Sequence, residues 1–358
     1  MALALNLPLS GYGSPMRLST PTSSGVPKGL KNLGNSCYIN AVLQAVAHCE
    51  LIYSRAKAST HSSRCQQSHE CVLCAFERCV VDLKRPVALS MPPNAHIMTR
   101  LIKLLPSISS QGSVMTVGRQ EDAHEFFSGL ISTAQNCRSQ YGTPEEKNNA
   151  ELNNKNYLLE LFQGKLYSGI FCMECGAVSS TTETIQGLEL EIGRTATLEG
   201  ALSEFCSRES LQQSSGNAYA CERCQTLTAA EKCLRIAEVP QVLRIQLKRF
   251  SYARDGGGCR KLSHLVEFPD RLDMQPYVQE QEEQGCYTAE ALQYRLSAVI
   301  VHIGRTPDSG HYAAYVRHRN EWFLVNDDQV QAVSLAEVQS QAAYILLYER
   351  AHTTTAHS

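Results

Sequence analysis

The hydrophobic period of the chain changes part-way along, and that change restricts the folds open to it. From Cys37 to His48, the residues Ile39, Val42, Leu43 and Val46 fall at the i, i+3, i+4, i+7 spacing of an amphipathic helix, with Asn35 or Ser36 as N-cap. A second helix is expected from about Glu121 to Ala134, with Ala123, Phe127, Leu130, Ile131 and Ala134 on one face. Further on the period becomes two, because Leu243, Ile245 and Leu247 alternate with Arg244, Gln246 and Lys248 as in a half-buried strand. Short β-branched or aromatic runs follow at Tyr294–His302, Ala313–Arg317, Trp322–Val325 and Tyr344–Tyr348, divided by turn-rich stretches such as Gly304–Gly310. Helices followed by a mostly antiparallel sheet predict an α+β fold.

The chain has 358 residues, 43% apolar and 19% charged, so it can bury a large core. A formal net charge of -2 gives no basic field for nucleic acid or an anionic membrane, and no run approaches the ~20 apolar residues that span a bilayer. Neither partner is expected. Residues 1–27 are rich in Ser, Thr, Pro and Gly; their apolar start lacks a charged n-region and is interrupted by Pro8. They read as a disordered extension more than as a transit peptide, residues 351–358 read as a disordered tail, and the folded unit is expected over 28–350. Fifteen cysteines without a secretory signal suggest metal ligands, a nucleophile and buried thiols in a reducing compartment, cytosol or nucleus.

A thiolate is the reactive form of cysteine, and the N–H groups and dipole at a helix N-terminus favour it. Cys37 has that address, although an isolated cysteine there is equally a packing residue. Its surroundings decide between the two. The string Gly29–Gln44, which runs Gly-Leu-Lys-Asn-Leu-Gly-Asn-Ser-Cys-Tyr-Ile-Asn-Ala-Val-Leu-Gln, resembles the cysteine box of the ubiquitin-specific protease family. Tyr294–Val299, His302, Gly304, Gly310-His311-Tyr312 and Trp322 to Asp327 resemble that family's histidine box in order and spacing.

The resemblance implies a papain-like cysteine protease, with a helical thumb over about 28–160, zinc-bearing β fingers over about 165–240 and an antiparallel β palm mainly in 241–350. It implies thiol-dependent cleavage after the C-terminal glycine of ubiquitin, with ubiquitin and ubiquitinated proteins as partners. Cys37 would attack, and His311 would take its proton and later protonate the leaving amine. Asn326 matches the residue that orients the imidazole, with Asp327 in reserve. Asn32 matches the oxyanion donor, aided by N–H groups around Ser36 and Cys37. The span of the resemblance is expected to leave no room for an appended ubiquitin-like or substrate-targeting domain.

Cys172-Met173-Glu174-Cys175 and Cys221-Glu222-Arg223-Cys224 form two Cys-x-x-Cys knuckles 45 residues apart, suited to tetrahedral thiolate ligation. The resemblance places them in the fingers as one structural zinc site, with Tyr219, Lys232 and Leu247–Phe250 in its flanking pattern and no catalytic cofactor. A third pair, Cys71 and Cys74, has Cys65 and His69 just upstream and could complete a second site, but spacing alone favours free thiols there.

Arg119 to Phe126 resembles the family's glutamine-aspartate box, with Gln120, Asp122 and Glu125 as substrate-binding candidates. Asp122 and Glu125, three residues apart, would share a helix face and could pair with the arginines of ubiquitin's tail; capping of the helix N-terminus is the other reading. Two further functions compete. A catalytically silent ubiquitin-binding scaffold would keep the same fold, and a protease for another ubiquitin-like modifier would keep the same chemistry. A zinc-knuckle nucleic-acid binder fits poorly, because acids such as Glu174 and Glu222 occupy the knuckles.

Overall fold

The computed structural model describes residues 25–58, 61–63, 65, 68–85, 95–110, 113–141, 157–212, 216–252, 259–279, 288–306 and 309–351. Most of the expected N-terminal extension and C-terminal tail, 1–24 and 352–358, lies outside these residues.

The first half is helical: α1 (Cys37–His48), α2 (Glu50–Lys57), α3 (Val72–Lys84), α4 (Ala95–Lys103), α5 (Ala123–Tyr141) and α6 (Tyr157–Phe162), with a two-residue hairpin of β1 (Ser109–Ser110) and β2 (Ser113–Val114) between α4 and α5. The expected helix at 37–48 has the bounds read from the sequence, but it has no solvent face. Every residue of α1 is buried, between α3 and α5 on one side and the sheet on the other. Its polar stripe, at the i, i+4 spacing of Ser36, Asn40, Gln44 and His48, meets protein rather than water. The Gln44 amide donates to the Lys28 carbonyl at 2.6 Å, Asn40 Nδ2 donates to the Leu30 carbonyl at 3.3 Å, and His48 Nδ1 lies 2.9 Å from the Gln44 carbonyl. A buried polar group costs less with a partner, and the incoming segment 28–30 is held by the donors of this stripe.

The middle of the chain forms a separate antiparallel layer. Strands β3 (Gly164–Cys172) and β4 (Val178–Ile185) pair, then β5 (Leu188–Glu191) leaves to join the main sheet and α7 (Leu198–Phe205) follows, its N-cap Thr197 accepting the Gly200 N–H. Next come β6 (Glu209–Leu211), β7 (Tyr219–Cys221), β8 (Thr226–Thr228) and β9 (Ala230–Glu238), giving a sheet ordered β4-β3-β9-β6 with the β7–β8 hairpin at its tip. Strand β4 is exposed along nearly its whole length and rich in Ser and Thr, which is why hydrophobic periodicity did not reveal it.

The last part supplies β10 (Val242–Lys248), the short pair β11 (Phe250–Tyr252) and β12 (Cys259–Lys261), then β13 (Arg271–Asp273), β14 (Gln293–Thr306), β15 (Ser309–His318), β16 (Glu321–Asn326), β17 (Gln329–Val333), α8 (Leu335–Gln339) and β18 (Ala343–Arg350). The main sheet runs β17-β16-β15-β14-β18-β10-β5, antiparallel except for β10 beside β5, with β13 on β14. It is covered on both faces. Ala298, Ile300, Tyr344 and Leu347 pack toward the helices, while Val299, Val301, Leu346 and Tyr348 pack into a second cluster with α7 and β13. Two-sided burial explains the unbroken apolar runs in β14 and β18.

Strand β10, expected to be half-buried, is more enclosed than that. Arg244 folds over the Phe127 ring at 5.2 Å and donates to Ser128 Oγ at 2.8 Å, so a residue expected to face solvent joins β10 to α5. Burial draws its guanidinium down to about 10, against the pull of Glu189.

Candidate active site

Cys37 opens α1 and is 2% exposed. Ser36 holds the N-cap position without capping the helix through its side chain; its Oγ accepts the Leu33 N–H at 2.9 Å instead. Asn32 Oδ1 accepts the Gly34 and Ser36 N–H groups at 3.1 and 3.2 Å, and Asn35 takes the left-handed conformation (φ 54°) that asparagine tolerates. The loop thus folds on itself and leaves the first turn of α1 without a side-chain cap, so its N–H groups remain available to a bound carbonyl.

His311 is brought to Cys37 by β15. Its Nε2 lies 2.5 Å from Asn326 Oδ1, at the end of the neighbouring β16, which leaves Nδ1 for the Cys37 sulfur. The hydrogen bond to Cys37 is the largest influence on the ring, opposed by burial and aided by Asn326 and the charge of Asp327; together they raise His311 to about 9. The pairing with Cys37 therefore favours the proton on the imidazole. Gly310 makes this approach possible: it has φ 152°, and a Cβ there would lie 2.5 Å from the Ile303 carbonyl and 2.6 Å from His302 Nε2. His302 itself is pushed down to about 4, first by burial and then by Lys261, whose Nζ lies 3.1 Å from its Nδ1. A neutral His302 adds no competing acid.

Asp327, the reserve for orienting His311, has a different task. It begins the turn between β16 and β17 in the left-handed region (φ 52°), and its carboxylate is bonded to the helical side. Its Oδ2 accepts Asn32 Nδ2 at 3.0 Å, its Oδ1 accepts Asn40 Nδ2 at 2.7 Å, and its carbonyl accepts the Leu30 N–H at 2.7 Å. Asn32 is thereby fixed at both ends of its amide, oxygen toward the loop and nitrogen toward Asp327. Asn40 was not singled out by its sequence context, although its place on the polar stripe with Ser36 and Gln44 was the available signal.

The three substrate-binding candidates separate. Asp122 is 9% exposed, and both of its oxygens are engaged internally. Oδ1 accepts the His124 and Glu125 N–H groups at 2.7 and 3.1 Å, capping α5, and Oδ2 accepts the hydroxyls of Tyr344 at 2.6 Å and Tyr312 at 3.1 Å. The capping reading describes this carboxylate. Its tie to Tyr312, beside His311, joins α5 to the catalytic strand, and the tyrosines were not foreseen. Gln120 is half-buried, with its Nε2 lacking a partner among the described residues, and Glu125 is exposed on α5.

The two knuckles meet at the tip of the β3–β9 layer. The four sulfurs of Cys172, Cys175, Cys221 and Cys224 lie within 4.8 Å of one another, with 3.9 Å between Cys172 and Cys224 and 3.7 Å between Cys175 and Cys221. A tetrahedral ion with bonds of about 2.3 Å separates its ligands by about 3.8 Å. Each knuckle closes with a left-handed residue just after its second cysteine, Gly176 (φ 68°) and Gln225 (φ 55°), whose N–H groups return to the carbonyls of Cys172 and Cys221 at 3.0 and 2.9 Å. The donors fit a metal ion. A second group, His61, Cys65, Cys71 and Cys74, is equally close-set; it contains His61 where the sequence suggested His69, which is exposed and outside the group.

With this geometry in view, the family model described as "Ubiquitin carboxyl-terminal hydrolase" matches residues 28–348. The chain belongs to that family. It is 31% identical over 345 residues to Ubiquitin carboxyl-terminal hydrolase 25 of Arabidopsis thaliana, covering 94% of this chain and 49% of that protein. It is 35% identical over 329 residues to Ubiquitin C-terminal hydrolase 15 of Oryza sativa subsp. japonica, covering 90% and 32%. The chain thus spans half or less of the length of these relatives. Among solved structures, the SAGA Ubp8/Sgf11/Sus1/Sgf73 DUB module bound to ubiquitin aldehyde superposes with a TM-score of 0.77 at 25% identity, covering 94% of this chain and 72% of that chain. The fold is the α+β arrangement of helices, palm sheet and finger layer expected of the family.

Two predictions follow from these contacts. Asp122→Ala removes a helix cap and orphans two tyrosine hydroxyls, so it should lower the unfolding free energy by about 3 kcal/mol in a denaturant titration; a loss under about 1 kcal/mol would contradict the assignment. Cys37→Ala removes the largest influence on His311, so the imidazole, followed by NMR, should titrate well below about 9 and closer to 6.5. A midpoint unmoved by the substitution would show that the thiol is not its partner.

Proposed function

We propose that this chain is a deubiquitinase, a thiol-dependent hydrolase of isopeptide or peptide bonds after the C-terminal glycine of ubiquitin, with ubiquitin and ubiquitinated proteins as its partners. The observation that carries the reading is His311, set between Cys37 and Asn326 at an uncapped helix N-terminus. Family membership supports it, as does the likeness to Ubp8 modules whose descriptions name bound ubiquitin aldehyde and monoubiquitin.

In this mechanism the Cys37 thiol passes its proton to His311, Sγ attacks the carbonyl carbon of the terminal glycine, and the electron pair of the C=O bond moves to oxygen. The oxyanion is met by N–H groups at the start of α1 and by the Asn32 Nδ2 hydrogen not given to Asp327. His311 then gives its proton to the departing amine, which leaves a thioester on Cys37. Water, deprotonated by His311, displaces the thiol and releases the ubiquitin carboxylate. Asn326 keeps the imidazole in register throughout. A cysteine only 2% exposed suits a narrow approach that a Gly-Gly tail can thread and a bulkier sequence cannot.

The fingers site is read as zinc, on the strength of four thiolate donors at tetrahedral spacing. Bound there, zinc would have a closed shell and supply cross-linking only, tying the β7–β8 hairpin to the end of β3. A reducing compartment, cytosol or nucleus, belongs to the same proposal and is supported by the free state of the twelve cysteines whose side chains are described.

The test is release of fluorophore from ubiquitin bearing a fluorogenic C-terminal amide, with SUMO and NEDD8 analogues in parallel. Hydrolysis of the ubiquitin substrate, lost in Cys37→Ala, is expected. Turnover of another modifier alone would keep the chemistry and replace the substrate. Ubiquitin binding by a folded chain with no release would favour the silent scaffold.

A further inference from the structure

Strand β4 ends the finger sheet ordered β4-β3-β9-β6 and is exposed from Val178 to Thr184. It has eight residues, whereas the other edges of the two large sheets, β6, β5 and β17, have three, four and five. Folded proteins guard an open edge with lysine, proline, a bulge or a short strand, because its unpaired N–H and C=O groups recruit a further strand. None of these devices is present in β4. It reads Val-Ser-Ser-Thr-Thr-Glu-Thr-Ile, pairs with β3 without a break in register, and carries Glu183 as its lone charge. We propose that β4 is a homodimer interface, pairing antiparallel with β4 of a second copy about a twofold axis at Thr181.

The hydrogen bonds around the first knuckle fix which groups face outward. The Cys172 N–H donates to the Ala177 carbonyl at 2.9 Å, and the Met173 N–H donates to the Ala229 carbonyl on the opposite side at 3.0 Å. Backbone groups alternate in direction along a strand, and Ile170 stands opposite Ser179. Ser179, Thr181, Glu183 and Ile185 therefore turn their N–H and C=O groups toward β3, while Val178, Ser180, Thr182 and Thr184 turn theirs outward. An axis at Thr181 sets Val178 opposite Thr184 and Ser180 opposite Thr182, so the outward groups of each copy meet one another. Thr181 then faces Thr181 of the second copy across a non-hydrogen-bonded pair, a favourable cross-strand match.

Charge selects a second copy in this register. Glu183 falls opposite Ser179, and the two Glu183 side chains stand about 13 Å apart, four residues along the strand. Moving the axis by one residue to Thr182 would bring them to about 7 Å on the same face, and moving it again would set them directly opposite. Moving it the other way shortens the overlap. The pairing also closes: one sheet runs through both copies and ends on the short β6 of each, so dimers form without growing into fibres. Because β4 runs from the knuckle at Gly176 toward β5 and the main sheet, antiparallel pairing places each main sheet beyond the fingertip of the other copy. A single strand is a small interface, so micromolar association is expected.

The test is sedimentation equilibrium of the full chain from about 1 to 200 µM. A monomer–dimer equilibrium is expected, weakened at least about tenfold in Thr182→Pro, since proline is tolerated in an edge strand where the N–H faces outward but removes a bond between copies. A chain that stays monomeric throughout would overturn the proposal and leave the edge to an extended peptide of another protein. Dimerisation as tight in folded Thr182→Pro as in wild type would overturn it too. Should Thr182→Pro not fold, cysteine cross-linking decides: under mild oxidation Thr181→Cys should give a disulfide-linked dimer that neither wild type nor Ser179→Cys gives. Linkage no greater in Thr181→Cys than in Ser179→Cys would overturn the proposed pairing. Neither readout depends on activity, so failure here is separable from failure of the deubiquitinase reading.

Discussion

The turn that joins β16 to β17 holds the two halves of the molecule in register. Asn326, the last residue of β16, accepts from the His311 imidazole, and Asp327, the next residue, accepts from Asn32 and Asn40 on the helical side. Its carbonyl takes the Leu30 N–H, and Gly29 lies so close to Asp328 that a Cβ there would come within 2.5 Å of its carbonyl oxygen. One reversal of the chain therefore sets the base, the proposed oxyanion donor and the approach of the segment leading to the nucleophile. An aspartate is suited to this point because a carboxylate accepts on both oxygens, whereas an asparagine could accept on only one. Its negative charge also helps His311 keep its proton.

The arrangement depends on polar groups being held in place in advance of substrate. Helix α1 buries Asn40, Gln44 and His48, and one end of each is held by the incoming segment, by Asp327 or by the helix itself, while Asn40 Oδ1, Gln44 Oε1 and His48 Nε2 have no partner among the described residues. On the far side of the site, Asp122 performs a comparable task by capping α5 while holding two tyrosine hydroxyls. By contrast, the N-terminus of α1 is left without a side-chain cap, where an ordinary structural helix gains about 1 kcal/mol from one. That forgone stabilisation falls at the place where negative charge would develop during acyl transfer, and the surrounding fixed contacts offset it.

The class of fold and the main chemistry were legible in the sequence for specific reasons. Helical spacing over 37–48 and alternation over 243–247 report local periodicity directly, and the two knuckles are local turns whose partner is named by their likeness to each other. What could not be read is non-local. The period-four polar stripe of α1 looked like a solvent face because nothing local says that residues 28–30 and 327 return to cover it. Arg244 looked like an outward strand residue until Phe127 and Ser128 were brought beneath it. Asp327 stood in reserve behind its neighbour Asn326 until the fold showed its carboxylate bonded to Asn32 and Asn40. His61 and His69 stand on either side of Cys65, and only the fold shows that His61 is the one beside the cysteines.

In the proposed mechanism Asp327 acts through Asn32 on the transition state rather than on binding. The direct measurement is a double-mutant cycle on hydrolysis of the ubiquitin C-terminal amide with Asp327→Ala, Asn32→Ala and the pair. The account predicts that each single change lowers kcat by about 10²–10³ with KM little altered, and that the pair loses hardly more than either alone. Full kcat in folded Asp327→Ala, or losses that multiply in the pair, would contradict it.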